Sequence, residues 1–158
     1  MSAGATLLKL QQIDLELARN KSELANMPEL KELASKRKTY VKLKSEMTKL
    51  YATLTAHPRI HATMGDYAHA DRLPGMVSIY IDGMDSEELI IKLDAAGFEV
   101  SAGSACSSGS MDPSHVLSAM GIGREQALGA LRISFDDRVN PADLDDFAQA
   151  LLTIVGAA

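Results

Sequence analysis

Ser101-Ala102-Gly103-Ser104-Ala105-Cys106-Ser107-Ser108-Gly109-Ser110, residues 101–110, is the stretch from which the rest of this chain is read. It holds the only cysteine among 158 residues. Its neighbours are glycine, serine and alanine, so no bulky side chain pins the backbone or covers the sulfur. Gly103 and Gly109 widen the accessible backbone range and raise the entropy of the segment. Phe98 and Val100 lead in as a strand, expected over Phe98 to Ser101. Asp112-Pro113-Ser114-His115 leads out as a helix start, with Asp112 as N-cap and Pro113 in the first turn. A strand, a Gly/Ser loop and a helix therefore succeed one another, with a lone thiol on the loop. A nearby helix N-terminus favours thiolate over thiol. A lone cysteine is also often a small buried apolar side chain. Residue types alone leave both readings open.

Working outward, Met76 to Ile81 alternates, with Val77, Ile79 and Ile81 on one face, and reads as a strand. Asp82-Gly83-Met84 turns the chain. Asp85 then caps a helix, with Glu88 three residues on, an apolar stripe of Leu89, Ile90, Leu93 and Ala96, and Gly97 as the stop. Beyond the loop, Pro113 to Met120 and Arg124 to Leu128 read as short helices. In Leu131 to Phe135, Leu131, Ile133 and Phe135 share a face, which leaves Arg132 and Ser134 on the other. Asn140 and Pro141 open a last helix whose inward stripe is Leu144, Phe147, Ala148, Leu151, Leu152 and Val155. Residues 55–75 are irregular, with Arg59 to Thr63 as a candidate edge strand. His57, His61 and His69 fall there at no metal-ligand spacing, so surface histidines are expected.

Upstream, Ala5 to Ala25 reads as a helix with Leu10, Ile13, Leu17 and Leu24 in a stripe interrupted by Asn20. Pro28 is welcome at a first turn and costly inside a helix. A second helix therefore runs from Pro28 to about Leu54, with Leu30, Leu33, Tyr40, Leu43, Met47, Leu50, Tyr51 and Leu54 inward. Together the two suggest a helical hairpin or coiled coil over 1–55. One kinked helix is the competing arrangement. The expected fold is α+β: a small mixed or antiparallel sheet over 56–158 with helices packed on one face, preceded by that helical segment.

Composition sets limits. Hydrophobic residues make up 46% of the chain, enough for a core. A single cysteine excludes an internal disulfide and fits a reducing, cytoplasmic compartment. The residues Met1 to Ala5 are too few and too polar for a signal peptide, and no apolar run is long enough to span a membrane. Residues 1–60 carry 11 Lys and Arg against 6 Asp and Glu, whereas residues 61–158 carry 5 against 15. The basic part lacks aromatic or Gly-rich interleaving, so a solvated helix face explains it better than nucleic-acid binding.

The run SAGSACSSGSMDPSHVL at 101–117 resembles the active-site loop of the cysteine desulfurases, of the class V aminotransferase superfamily. The order of the elements downstream is also similar: two short helices, Ala127-Leu128-Gly129, then Leu131-Arg132-Ile133-Ser134-Phe135. Upstream, Arg72-Leu73-Pro74-Gly75-Met76-Val77-Ser78-Ile79 is similar to that family's entry strand into its small domain. The resemblance implies that Cys106 is the nucleophile carrying persulfide sulfur and that Arg132 holds a substrate α-carboxylate. It implies a flexible loop made of Gly103, Ser104, Ala105, Ser107, Ser108 and Gly109. It implies pyridoxal phosphate (PLP) as cofactor, but the family's cofactor lysine comes after a histidine in a large domain, and this chain has no His-Lys dipeptide. No cofactor-binding residue and no metal ligand is therefore carried over. Asp136-Asp137 departs from the family's pattern and makes the surroundings of Arg132 more acidic. The pattern LLKLQQIDLE at 7–16 is similar to the coiled-coil segment of a family of bacterial zinc-ribbon proteins, whose ribbon cysteines are absent here.

Three functional readings are open. In the first, the chain is a desulfurase-like small domain, inactive alone, that works with a separate PLP-binding chain or a sulfur acceptor protein. In the second, it is a non-catalytic interaction protein that forms homo-oligomers or docks through its N-terminal helices, with the desulfurase fold as scaffold. The third, a complete PLP enzyme, conflicts with the missing lysine. No nucleic acid and no membrane is expected as partner.

Overall fold

The computed structural model describes residues 3–65, 67, 73–103 and 114–157, with side chains from residue 9 onward. The chain divides into two compact units, Met1–Val41 and Lys42–Ala158. The second begins inside a helix, ahead of the boundary drawn after residue 55 from the sequence.

The first unit holds helix α1 (Ala3–Asn26) and the opening of α2 (Pro28–Thr55). Only Met27 separates them, with its N–H donating to the Leu24 carbonyl and its carbonyl accepting from the Lys31 N–H, each at 3.2 Å. Pro28 has no N–H to donate, which accounts for the interruption. The expected helices are present, but from Lys9 to Lys38 every side chain is exposed. Leu30, Leu33 and Tyr40, expected to face inward, are exposed as well.

In the second unit the inward stripe of α2 is covered. Met47, Leu50, Tyr51 and Leu54 are all buried. They join a four-stranded antiparallel sheet in the order β1-β2-β4-β3, built from Ile60–Ala62 (β1), Met76–Ile81 (β2), Ser101–Ala102 (β3) and Ala130–Ser134 (β4). Alternation decides the faces. Val77 pairs with Ile133 and Ile79 with Leu131, and all four point into the core. The same face receives Leu89 and Leu93 of α3 (Ser86–Ala95) and Leu144, Phe147, Ala148, Leu151 and Val155 of α6 (Pro141–Gly156). Each fully buried Leu, Ile or Val contributes about 1.5–3 kcal/mol relative to exposure. The opposite face carries a smaller cover: Leu117 of α4 (His115–Ala119) and Ala127 of α5 (Arg124–Leu128) pack with Ala130, Tyr80 and Ile122.

Helix ends obey the expected chemistry with two shifts. The Asp85 carboxylate accepts the Glu87 N–H at 2.8 Å, and the Asn140 side chain accepts the Ala142 N–H at 3.3 Å. At the end of α3, Gly97 takes φ +88°, and the N–H groups of Gly97 and Phe98 return to the carbonyls of Asp94 and Leu93. That closure ties Phe98 to the helix. The strand expected from Phe98 is accordingly only Ser101–Ala102. Helix α4 starts at His115, with Ser114 at the N-cap position (ψ 119°) and without a side-chain cap hydrogen bond; Asp112 and Pro113, expected to open it, lie outside the described residues.

Candidate functional site

Arg132 occupies the middle of β4, opposite Ser78 of β2 on one side and Ser101 of β3 on the other. Since Leu131 and Ile133 are buried, Arg132 stands on the face away from the core and is half-buried. Among the described residues its guanidinium has no hydrogen bond or ion pair. The sequence expectation that it looks outward holds.

Tyr51 fixes the strand beside it. Its hydroxyl accepts the Ser78 N–H at 2.7 Å and lies 3.3 Å from the Ser78 carbonyl. Strand β1 ends at Ala62, so this N–H has no ladder partner and a buried phenol supplies one. The Tyr51 ring also stacks on Tyr67, with centroids 4.7 Å apart. The sequence places Tyr51 in an apolar stripe and misses this hydroxyl. The signal was available: a tyrosine in a buried stripe needs a polar partner.

Gly103 is the point where the chain leaves the sheet. Its N–H donates to the Ala130 carbonyl at 3.0 Å, extending the β3–β4 ladder. A Cβ there would stand 2.9 Å from that of Ala130 and 3.1 Å from Leu117 Cδ1. A side chain there would crowd α4 and β4, and Gly103 directly follows β3, at the start of the loop. Cys106, Ser104, Ala105, Ser107, Ser108 and Gly109 lie outside the described residues, as do Asp112 and Pro113. The chain re-enters at Ser114, buried with 6% of its surface exposed.

The first carboxylate after the strand has a partner of its own. Asp136 is clamped by Arg138, with Nη2 2.6 Å and Nε 2.9 Å from Oδ2. The guanidinium holds the Asp136 carboxyl below its usual range, and the carboxylate holds Arg138 above its own. Of Asp136-Asp137, the pair that departs from the family's pattern, Asp136 is thus ion-paired with the arginine two residues on, in an exposed contact.

The histidines divide. His61 Nε2 lies 2.8 Å from Asp82 Oδ2, and its ring stacks on Tyr80 at 5.0 Å. The His57 ring nitrogen Nδ1 accepts the Arg59 N–H at 3.3 Å. His69 lies outside the described residues. Among the described residues no three His, Cys, Asp or Glu side chains gather as a metal site, and no helix is long and apolar enough to cross a membrane.

The sequence pattern of the family Aminotransferase class-V matches residues 29–147, and the chain belongs to that family. Within it, the relatives are cysteine desulfurases. One from Cereibacter sphaeroides is 40% identical over 85 residues, 54% of this chain and 22% of its own. An IscS-like cysteine desulfurase from Mycobacterium tuberculosis is 40% identical over 87 residues, 55% of this chain and 22% of its own. The X-ray structure of a NifS-like protein from Rickettsia africae superposes with a TM-score of 0.62 at 26% identity, covering 77% of this chain and 30% of that one. The chain thus spans about a fifth of the length of the curated relatives it matches.

The family implies PLP, which needs a lysine amine in a closed pocket. The lysines described here do not fit it. Side chains of Lys36, Lys49 and Lys92 are 74%, 54% and 43% exposed and paired with Glu32, Asp145 and Glu88. The hydrogen bond that Lys49 donates to Asp145 raises the Lys49 pKa, which favours the ammonium over the free amine a cofactor lysine requires.

Proposed function

We propose that this chain is the sulfur-carrying small-domain part of a cysteine desulfurase-type system. In this reading Cys106 accepts and passes on sulfur, and Arg132 holds the α-carboxylate of the donor. The carrying observation is the guanidinium of Arg132 on the sheet face opposite the main core, unpaired among the described residues, beside the strand that runs into residues 104–113. Cys106 lies three residues after the Gly103 tether, a covalent reach of ~10 Å at full extension. The relatives' names support the same chemistry.

The step requires only this chain's thiolate and a persulfide donor. The Cys106 sulfur bonds to the donor's outer sulfur. The donor's S–S bond breaks, its thiolate leaves with the electron pair, and the proton stays on the transferred sulfur. Release of sulfur from L-cysteine belongs to a PLP-binding partner chain, and an acceptor thiol repeats the exchange to unload Cys106.

Mass spectrometry of the protein after exposure to cysteine persulfide tests this. One added sulfur on Cys106, absent in Cys106→Ser, is expected. Arg132→Ala should lower loading from cysteine persulfide but not from inorganic polysulfide, which has no carboxylate. No added sulfur, or a thiol alkylated only after unfolding, overturns the proposal. The alternative, an interaction protein built on its N-terminal helices, draws on the uncovered stripe of α1.

A further inference from the structure

Helix α1 leaves its apolar side chains bare: Leu10 is 56% exposed, Ile13 58%, Leu17 50% and Leu24 58%, and Met27 just beyond its end is 43% exposed. Their numbers advance by three and four in turn, with Asn20 in the one polar place. That is a heptad, with Leu10, Leu17 and Leu24 at a, and Ile13, Asn20 and Met27 at d. The positions flanking such a seam decide what it pairs with. Here g is Lys9, Glu16 and Glu23, and e is Asp14 and Lys21.

In parallel, in-register copies each g faces the e five residues further along its neighbour. Lys9 then meets Asp14 of the partner subunit, and Glu16 meets Lys21 of the partner subunit. Both contacts join opposite charges, and each occurs twice per pair. Antiparallel copies face g with g and e with e, so an attraction of Asp14 for Lys21 of the partner subunit is opposed on the other flank. Any overlap that covers the whole stripe then sets Glu16 against Glu16 or Glu23 of the partner subunit. Parallel register also brings Asn20 level with Asn20 of the partner subunit, so the two amides hydrogen-bond across the seam instead of facing leucine. The pattern is therefore complementary to itself on both flanks in one orientation and one register only.

We propose that α1 is a self-association element, and that the occupant of its bare face is the same helix of another copy, parallel and in register. Leucine at a with isoleucine at d favours bundles of more than two strands, and the same g–e contacts repeat between neighbours in them. The proposal concerns residues 9–27 alone and is independent of the sulfur chemistry.

Sedimentation equilibrium of the full chain should show a mass that rises above the monomer with concentration. Leu17→Lys with Leu24→Lys should weaken association by about tenfold or more while leaving the sheet unit folded, since both side chains are exposed in the single chain. Charge reversal separates this from unspecific stickiness. A variant carrying Lys9→Glu and Lys21→Glu should not self-associate, nor should one carrying Asp14→Lys and Glu16→Lys, but a mixture of the two should. Orientation is read in a Cys106→Ser background, where Leu10→Cys should cross-link to itself on oxidation. A monomer at every concentration, charge variants that associate as well as the parent chain, or cross-linking of Leu10→Cys only to Leu24→Cys would each overturn the proposal.

Discussion

At the scale of single residues, two positions in and beside the sheet make sharp predictions. Gly103 has β4 on one side and Leu117 on the other, with no room for a Cβ. Gly103→Val should force α4 away from the sheet and cost about 1–3 kcal/mol, as overpacking does. Denaturant titration gives the cost, and altered persulfide loading of Cys106 would report the moved tether. Tyr51→Phe keeps the ring but orphans the Ser78 N–H, which it accepts at 2.7 Å. A buried donor left unpaired costs about 1–3 kcal/mol. The unfolding midpoint should fall with an unchanged denaturant slope. Neither effect could be read from the sequence, because each depends on a neighbour distant along the chain. Arg132 was legible, since strand alternation alone decides its face once Leu131 and Ile133 are assigned to the core.

At the scale of elements, what holds the second unit together is a set of contacts between ends. Arg59 donates through Nε and Nη2 to the Asp82 carbonyl at 3.0 and 2.9 Å, and through Nη1 to the Val155 carbonyl at 3.2 Å. It thus joins the turn after β2 to the last turn of α6, whose free carbonyls attract a cation. Arg59→Met should keep much of the packing and lose about 1–3 kcal/mol, measured by thermal unfolding. Local signals located these elements well. Alternation marked β2, Asn140-Pro141 marked the start of α6, and Gly97 marked the end of α3. Local signals failed for β3, where strand propensity at Phe98 lost to the closure of the preceding helix. They also could not tell that the stripe of α2 is covered from Met47 but bare at Leu30 and Leu33. Periodicity shows that a helix has an apolar face, not what covers it.

At the scale of the whole molecule, charge contributes modestly and in a definable pH window. Lys49 of α2 reaches Asp145 of α6, with Nζ 2.7 Å from Oδ1. The folded-state pKa of Lys49 is raised above 10.5, so the pair's contribution is fully present below that pH and fades as pH climbs through the folded value. Lys49→Gln should therefore lower the melting temperature slightly at neutral pH. The difference should vanish in strong alkali and shrink in high salt, because both partners are exposed. The family assignment rests on the part of the chain with the sheet, and it was legible from the order of its motifs. The position of the sulfur was not, because glycine, serine and alanine specify no packing partner. The brevity of β3 has a further consequence. A strand of two residues at the rim of the sheet is held by few hydrogen bonds, so it should detach well below the free energy of global unfolding. Amide hydrogen exchange would then be fast at Ala102 and Gly103 while Ile79 and Leu131, further inside the sheet, exchange only when everything opens. The stem that carries the cysteine could thus peel from its neighbour and lengthen its own tether, with the rest of the sheet undisturbed.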